Sequence, residues 1–148
     1  SFQVNAAGIP CPIYESVYLE DDGRGPGLLL AQLEGEYARE GVSLPPSPPE
    51  LPDHVAVELE FVGFLCGEEA ESWEEGALTK VLHTLNGERE FLKRHLLRWL
   101  PAFADRVGRS NPGSVFDSAT RAARAFVLHD GVLIDALIER FENIEEAP

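Results

Sequence analysis

Five prolines lie within residues 45–52 and separate a short N-terminal part of the chain from a longer C-terminal part. Proline fixes φ and has no backbone donor, so this stretch cannot be helical and is expected to form an extended, proline-rich hinge. Before the hinge, residues 1–27 are rich in Gly, Pro and Asp and predict an ordered loop. Residues 28–41 show apolar side chains at helical spacing and end at a glycine, which predicts one helix.

After the hinge, residues 53–145 predict a helical bundle, because apolar side chains recur at helical spacing almost throughout. Asp53 is expected to cap a helix that runs to about Glu71. Another helix is expected to begin near Leu78 and to be interrupted at Asn86-Gly87.

The last third of the chain predicts three more helical segments. Residues 91–103 carry a wide apolar face that includes His95 and indicates a core helix. Residues 115–129 and 132–141 are expected to form a closing pair joined at Asp130-Gly131. Alternating strand patterns are scarce, so the sequence predicts an all-α, single-domain bundle.

The chain carries a formal charge of -14, from 26 acidic and 12 basic residues. This balance argues against a nucleic acid partner and favours a cationic peptide, although the charge also fits a protein that is merely kept in solution. Cys11, between two prolines, is expected in an exposed loop, and it forms no metal or redox motif with Cys66. Without a bilayer-length apolar run, stable membrane insertion is not expected, and a reducing, cytoplasmic setting fits.

The sequence contains no motif typical of a nucleophile elbow, a phosphate-binding loop, a dinucleotide fold or a zinc protease. It therefore predicts no enzymatic activity and no cofactor. One alternative is a metal site, since His54 and Glu58 lie one helical turn apart and His95 is a candidate third ligand. The competing interpretation is that His54 and Glu58 bond each other or nearby backbone, and that His95 is a satisfied core histidine.

Three segments carry a resemblance to a known family. They read P-I-Y-E-S-V-Y at 12–18, E-L-P-D-H-V-A-V-E-L-E-F at 50–61, and F-L-K-R-H-L-L-R-W at 91–99. In this order they resemble the TorD/DmsD/NarJ-type chaperones of molybdenum-containing redox enzymes, over roughly residues 12–108. The resemblance implies a TorD-like all-α bundle without catalytic activity.

The resemblance also implies a function. Such a chaperone binds the N-terminal, twin-arginine-type segment of a molybdopterin-containing oxidoreductase subunit, and holds it for cofactor insertion before export or membrane assembly. Two other classes stay open: a helical adaptor that bridges subunits, and a small metal- or nucleotide-binding protein.

Carried over residue by residue, the hinge supplies the predicted binding site. Carboxylates at Glu50 and Asp53 suit arginines, because Arg–carboxylate pairs are short and directional. Aromatic side chains further along are expected to line or support a groove, or simply to pack in the core. The predicted peptide-binding set is Glu50, Pro52, Asp53, His54, Glu58, Phe61, Phe91, His95 and Trp99.

One departure from the family concerns the start of the chain. The family fold has several helices before the segment at 12–18, whereas about a dozen residues precede it here. We therefore expect those N-terminal helices to be lacking from this chain. Core surface left exposed in this way would be covered by a homodimer or a helix-swapped oligomer.

Overall fold

The computed structural model describes residues 11–19, 25–46 and 50–146. Within these ranges the chain forms six α-helices and no β-strand, which confirms the all-α prediction. None of these helices is both long and apolar enough to cross a lipid bilayer. In chain order the helices are α1 (Glu15–Tyr18), α2 (Gly27–Arg39), α3 (Val55–Glu74), α4 (Leu78–Arg94), α5 (Leu96–Ser110) and α6 (Val115–Glu145).

Helix α4 lies at the centre and packs against α3, α5 and α6. Helix α6 also packs along α5, and the short α1 lies on α5. The core between these helices contains Leu85, Leu92, Trp99 and Leu100, all without solvent exposure. Burial of large apolar side chains of this kind is the main stabilising contribution to such a bundle.

The predicted loop at residues 1–27 is partly wrong, because residues 15–18 form α1 inside it. Residues 1–10 and 20–24 of that prediction lie outside the described residues. Cys11 is buried rather than exposed, with 1% of its surface accessible. The helix predicted for residues 28–41 is confirmed as α2, and Gly41 follows it with φ of +77°, a conformation that favours glycine.

The start of α3 differs from the prediction. His54, not Asp53, is the cap: its ring Nδ1 accepts a hydrogen bond from the backbone N–H of Ala56 at 2.9 Å. The Asp53 carboxylate is turned toward α1 and is therefore unavailable to α3. The helix also continues to Glu74, beyond the expected end at about Glu71.

The predicted interruption at Asn86-Gly87 is wrong, and the break lies at His95 instead. Asn86 lies within α4, and its side chain donates to the carbonyl of Leu82 at 2.9 Å, so the polar group is satisfied along the helix. His95 has φ of -121° and ψ of -93°, which are not helical values. The apolar face predicted as one core helix at 91–103 is thus shared between α4 and α5.

The predicted closing pair of helices is a single helix, α6, which passes through Asp130-Gly131 without a break. Val127 and Ile134 are buried on either side of this point. A Cβ built at Gly131 would lie in ordinary van der Waals contact with Leu97 Cδ1 at 3.6 Å, so α5 and α6 lie close together at this point. Packing on both sides outweighs the cost of about 1 kcal/mol that a glycine carries within a helix.

Candidate functional site

The three motif segments meet at one place, where the chain before α1 runs beside the start of α3. The backbone N–H of Glu15 donates to the carbonyl of Asp53 at 3.0 Å, and the N–H of Val55 donates to the carbonyl of Ile13 at 2.9 Å. These bonds flank an isolated antiparallel bridge between Tyr14 and His54. The segment at 12–18 is thereby fixed against the hinge.

Asp53 holds the beginning of α1. Its Oδ2 accepts a hydrogen bond from the backbone N–H of Ser16 at 3.0 Å, and the residue is fully buried. Among the described residues, Oδ1 has no hydrogen-bond partner. Asp53 therefore lies beneath the surface, although the sequence predicted it to pair with a client arginine.

Glu50 is the exposed acid of the hinge. Its Oε1 accepts a hydrogen bond from the Tyr14 hydroxyl at 3.4 Å and one from the N–H of Leu51 at 3.2 Å. Pro52 is buried, and its carbonyl accepts a hydrogen bond from the Tyr37 hydroxyl at 2.7 Å. The hinge is thus attached to α2 as well as to the segment before α1.

His95, at the break between α4 and α5, bonds two carboxylates. Its Nδ1 lies 3.0 Å from both oxygens of Glu15, and its Nε2 lies 2.9 Å from Glu36 Oε2. Burial by itself lowers the pKa of the imidazole, but the hydrogen bonds and charges of Glu15 and Glu36 raise that pKa to about 9. At neutral pH His95 is therefore an imidazolium that donates from both nitrogens.

Glu36 extends this contact toward the surface. Burial raises the pKa of its carboxyl, yet His95, Arg94 and Arg39 together bring that pKa below the ordinary value. Arg94 Nη1 lies 3.6 Å from Glu36 Oε1. The positive charges of His95 and Arg94 therefore balance the carboxylates of Glu15 and Glu36.

Glu58 is the third buried acid at this place. Burial, reinforced by the hydrogen bond and the charge of Glu15, raises the pKa of Glu58 to about 11, so the side chain is protonated at neutral pH. Its Oε2 accepts a hydrogen bond from Trp99 Nε1 at 3.0 Å. We call Glu15, Glu36, Glu58, His95 and Trp99 the buried network.

The predicted metal site differs from what is observed. His54 caps α3 and lies outside the buried network, while Glu15 takes its place: single ligand atoms of Glu15, Glu58 and His95 lie within 4.8 Å of one another. Metal binding requires a neutral imidazole and ionised carboxylates. In the structure both nitrogens of His95 bond carboxylates, and Glu58 accepts a hydrogen bond from Trp99, so these side chains form a hydrogen-bonded network.

The aromatic members of the predicted binding set are buried. Phe61, Phe91 and Trp99 are at most 5% exposed, because they pack against one another's helices in the core. The ring of Phe61 lies 4.7 Å from that of Tyr37 and 4.8 Å from that of Phe91, and Phe91 lies 4.8 Å from the His95 ring. Phe91 and Trp99 therefore support the buried network from within the core, whereas Phe61 also borders a surface cavity beside Phe64.

Sequence analysis missed two members of the buried network. Glu15 belongs to the segment at 12–18 that carries the resemblance, so its position in that motif was the available signal. Glu36 belongs to none of the three motif segments. Its contact with His95 arises because the fold places α2 beside the break between α4 and α5. On the solvent side of the buried network, Glu36 and His95 border a cleft of about 730 Å³. This cleft is also lined by Arg39, Arg94 and Arg98.

The sequence was also compared with those of known proteins and protein families. Residues 2–105 match the family described as nitrate reductase delta subunit. The chain is 32% identical over 126 residues to the chaperone protein TorD of Vibrio cholerae serotype O1, which covers 85% of this chain and 56% of that protein. It is 31% identical over 139 residues to the perchlorate reductase assembly chaperone protein of Dechloromonas aromatica, covering 94% and 59%.

A third relative is the chlorate reductase assembly chaperone protein of Ideonella dechloratans, 32% identical over 106 residues, which are 72% of this chain and 53% of that protein. The chain therefore spans a little more than half the length of these relatives. No solved structure gives a significant match.

Proposed function

Since this chain belongs to the nitrate reductase delta subunit family of molybdoenzyme maturation chaperones, we propose that it is a cytoplasmic chaperone for a molybdopterin-containing oxidoreductase subunit. It binds the N-terminal, twin-arginine-type segment of that subunit and holds the subunit for cofactor insertion, before export or membrane assembly. The proposal is supported chiefly by the relatives, two of which are named as assembly chaperones of reductases.

The structure is compatible with a protein that binds rather than catalyses. The three segments that carry the resemblance contribute Glu15, Glu58, His95 and Trp99 to the buried network. These side chains bond one another beneath the surface. We therefore expect exposed residues in and around the hinge to contact the client segment, and Glu50 is the first candidate.

We expect the chain to bind a synthetic peptide in which two adjacent arginines precede an apolar stretch. Calorimetric titration measures this binding, and a peptide with glutamines in place of both arginines is the control. Because the attraction between exposed charges is screened by salt, affinity for the arginine peptide should fall as ionic strength rises. Equal affinity for the two peptides, or no binding of either, would contradict the proposal.

Glu50→Gln tests the contribution of the hinge to this binding. The substitution keeps the size of the side chain and removes an exposed charge, whereas Asp53→Ala would also release the start of α1. Glu71→Gln, on the exposed surface of α3, is the matched control.

The homodimer or helix-swapped oligomer belongs to the same proposal. Helix α6 carries exposed apolar side chains along one side: Val115 at 82%, Ile144 at 65%, Phe126 at 48% and Leu133 at 47%. An apolar stripe of this kind on a surface helix is typical of an interaction surface.

A further inference from the structure

We propose that a cleft between α2 and α3, separate from the hinge carboxylates, binds the apolar part of the client segment and its flanking basic side chains. This inference rests on the proposed function, because it names the surface that performs it. The cleft consists of two adjoining cavities, of about 330 and 270 Å³, which share Tyr37 and the segment 42–44. We call it the α2–α3 cleft.

The base and wall of the α2–α3 cleft are apolar and fixed. Tyr37 is held by its hydrogen bond to the carbonyl of Pro52 at 2.7 Å, and the N–H of Val42 donates to the Tyr37 carbonyl at 2.9 Å. Phe61 lies under the cleft, and the ring of Phe64 is stacked on it at 6.3 Å with an interplanar angle of 18°. Phe64 is 37% exposed, so an apolar side chain entering the cleft can contact it.

The rim of the cleft is acidic. Glu60 of α3 borders the larger cavity and Glu34 of α2 borders the smaller one. Both side chains are exposed, and neither forms an ion pair or a side-chain hydrogen bond with another residue in the described parts of the chain. Carboxylates beside an apolar cleft suit a segment in which arginine or lysine flanks an apolar residue.

The other surfaces near the hinge suit such a segment less well. The cleft beside His95 is bordered by Arg39, Arg94 and Arg98, which repel a basic peptide. The carboxylate of Asp53 is buried and accepts a hydrogen bond from Ser16 N–H. The two clefts lie on different sides of α2. Glu36 and Arg39 border the basic cleft, whereas Glu34 and Tyr37 border the α2–α3 cleft.

Charge reversal on the rim tests this inference in the full chain. We expect Glu60→Lys combined with Glu34→Lys to weaken binding of the arginine peptide about tenfold or more, because like charges then face each other. The same variant should bind a peptide with two glutamates in place of the arginines more tightly than the parent does. This gain cannot come from a misfolded variant.

Phe64→Ala tests the apolar part of the cleft, with Phe116→Ala at the start of α6 as the matched control, because Phe116 is 43% exposed. We expect Phe64→Ala to weaken binding of the arginine peptide and Phe116→Ala to leave its affinity unchanged. If the Glu34, Glu60 and Phe64 variants bind like the parent while Glu50→Lys loses binding, the client segment occupies the hinge; the inference fails and the proposed function stands. If the parent binds no arginine peptide, both fail.

Discussion

Replacement of His95 by glutamine should lower the free energy of unfolding by about 3–5 kcal/mol, because it removes the cation from a buried charge pair. Glu15 is fully buried, and His95 contacts both of its oxygens at 3.0 Å. The two N–H donors of a glutamine share one nitrogen, whereas the imidazolium donates from two ring nitrogens, and the glutamine supplies no positive charge. The second contact, with Glu36, is lost as well.

Urea unfolding at neutral pH measures this effect, with His83→Gln as the control because His83 is exposed on α4. Surface substitutions of that kind usually change stability by less than about 0.5 kcal/mol. A His95→Gln variant as stable as His83→Gln would show that the buried imidazolium contributes nothing to the fold.

The second large effect is a loss of stability as pH rises from about 6 to about 9. His95 has a folded pKa of about 9, above its ordinary value of 6.5. Its stabilising contribution is therefore complete below about pH 6.5 and is lost as pH rises through about 9. Glu58 acts in the same direction, because its pKa is raised from 4.5 to about 11 and the folded state must keep a proton that the unfolded state releases.

The stability of the parent chain should then fall by up to about 1.4 kcal/mol per pH unit for each of these groups. Glu36 contributes in the opposite sense: its lowered pKa stabilises the fold above about pH 4.5, and that contribution is lost as the solution becomes more acidic. Stability is therefore expected to be greatest in mildly acidic solution, between these two limits.

Glu58→Gln separates the contribution of Glu58 from that of His95. An amide can accept the hydrogen bond from Trp99 and donate toward Glu15, as the protonated acid does, so stability near neutral pH should be kept. Because the amide does not titrate, stability should also fall less steeply with pH. Urea unfolding at several pH values measures both; a slope equal to that of the parent, or of Glu71→Gln, would show that Glu58 does not carry the proton.

Local signals in the sequence were sufficient for part of the fold. Gly41 ends α2 by its backbone conformation, and apolar periodicity indicated helices from α2 onward. The break at His95 could not be predicted in this way, because the carboxylates that bond its ring come from α1 and α2. Equally, Asn86-Gly87 and Asp130-Gly131 resemble helix ends, but packing on both sides keeps the helices continuous.

The candidate site was predictable in its location more than in its accessibility. The motifs pointed to the hinge, Glu58, His95 and Trp99, and the last three do lie together. Their burial could not be predicted, since an acid and an aromatic ring on a helix look alike whether they face a ligand or the core. Which acids remain on the protein surface depends on how each helix is rotated about its own axis. In this fold Glu34 and Glu60 are exposed.

The bond between His95 and Glu15 joins residues 80 positions apart, which has a consequence for the order of folding. Closing so long a loop costs more entropy than forming the α3–α4 and α5–α6 hairpins, whose contacts are local. We expect these hairpins to assemble first. Completion of folding then waits for the segment at 12–18 to reach His95, at the break between α4 and α5.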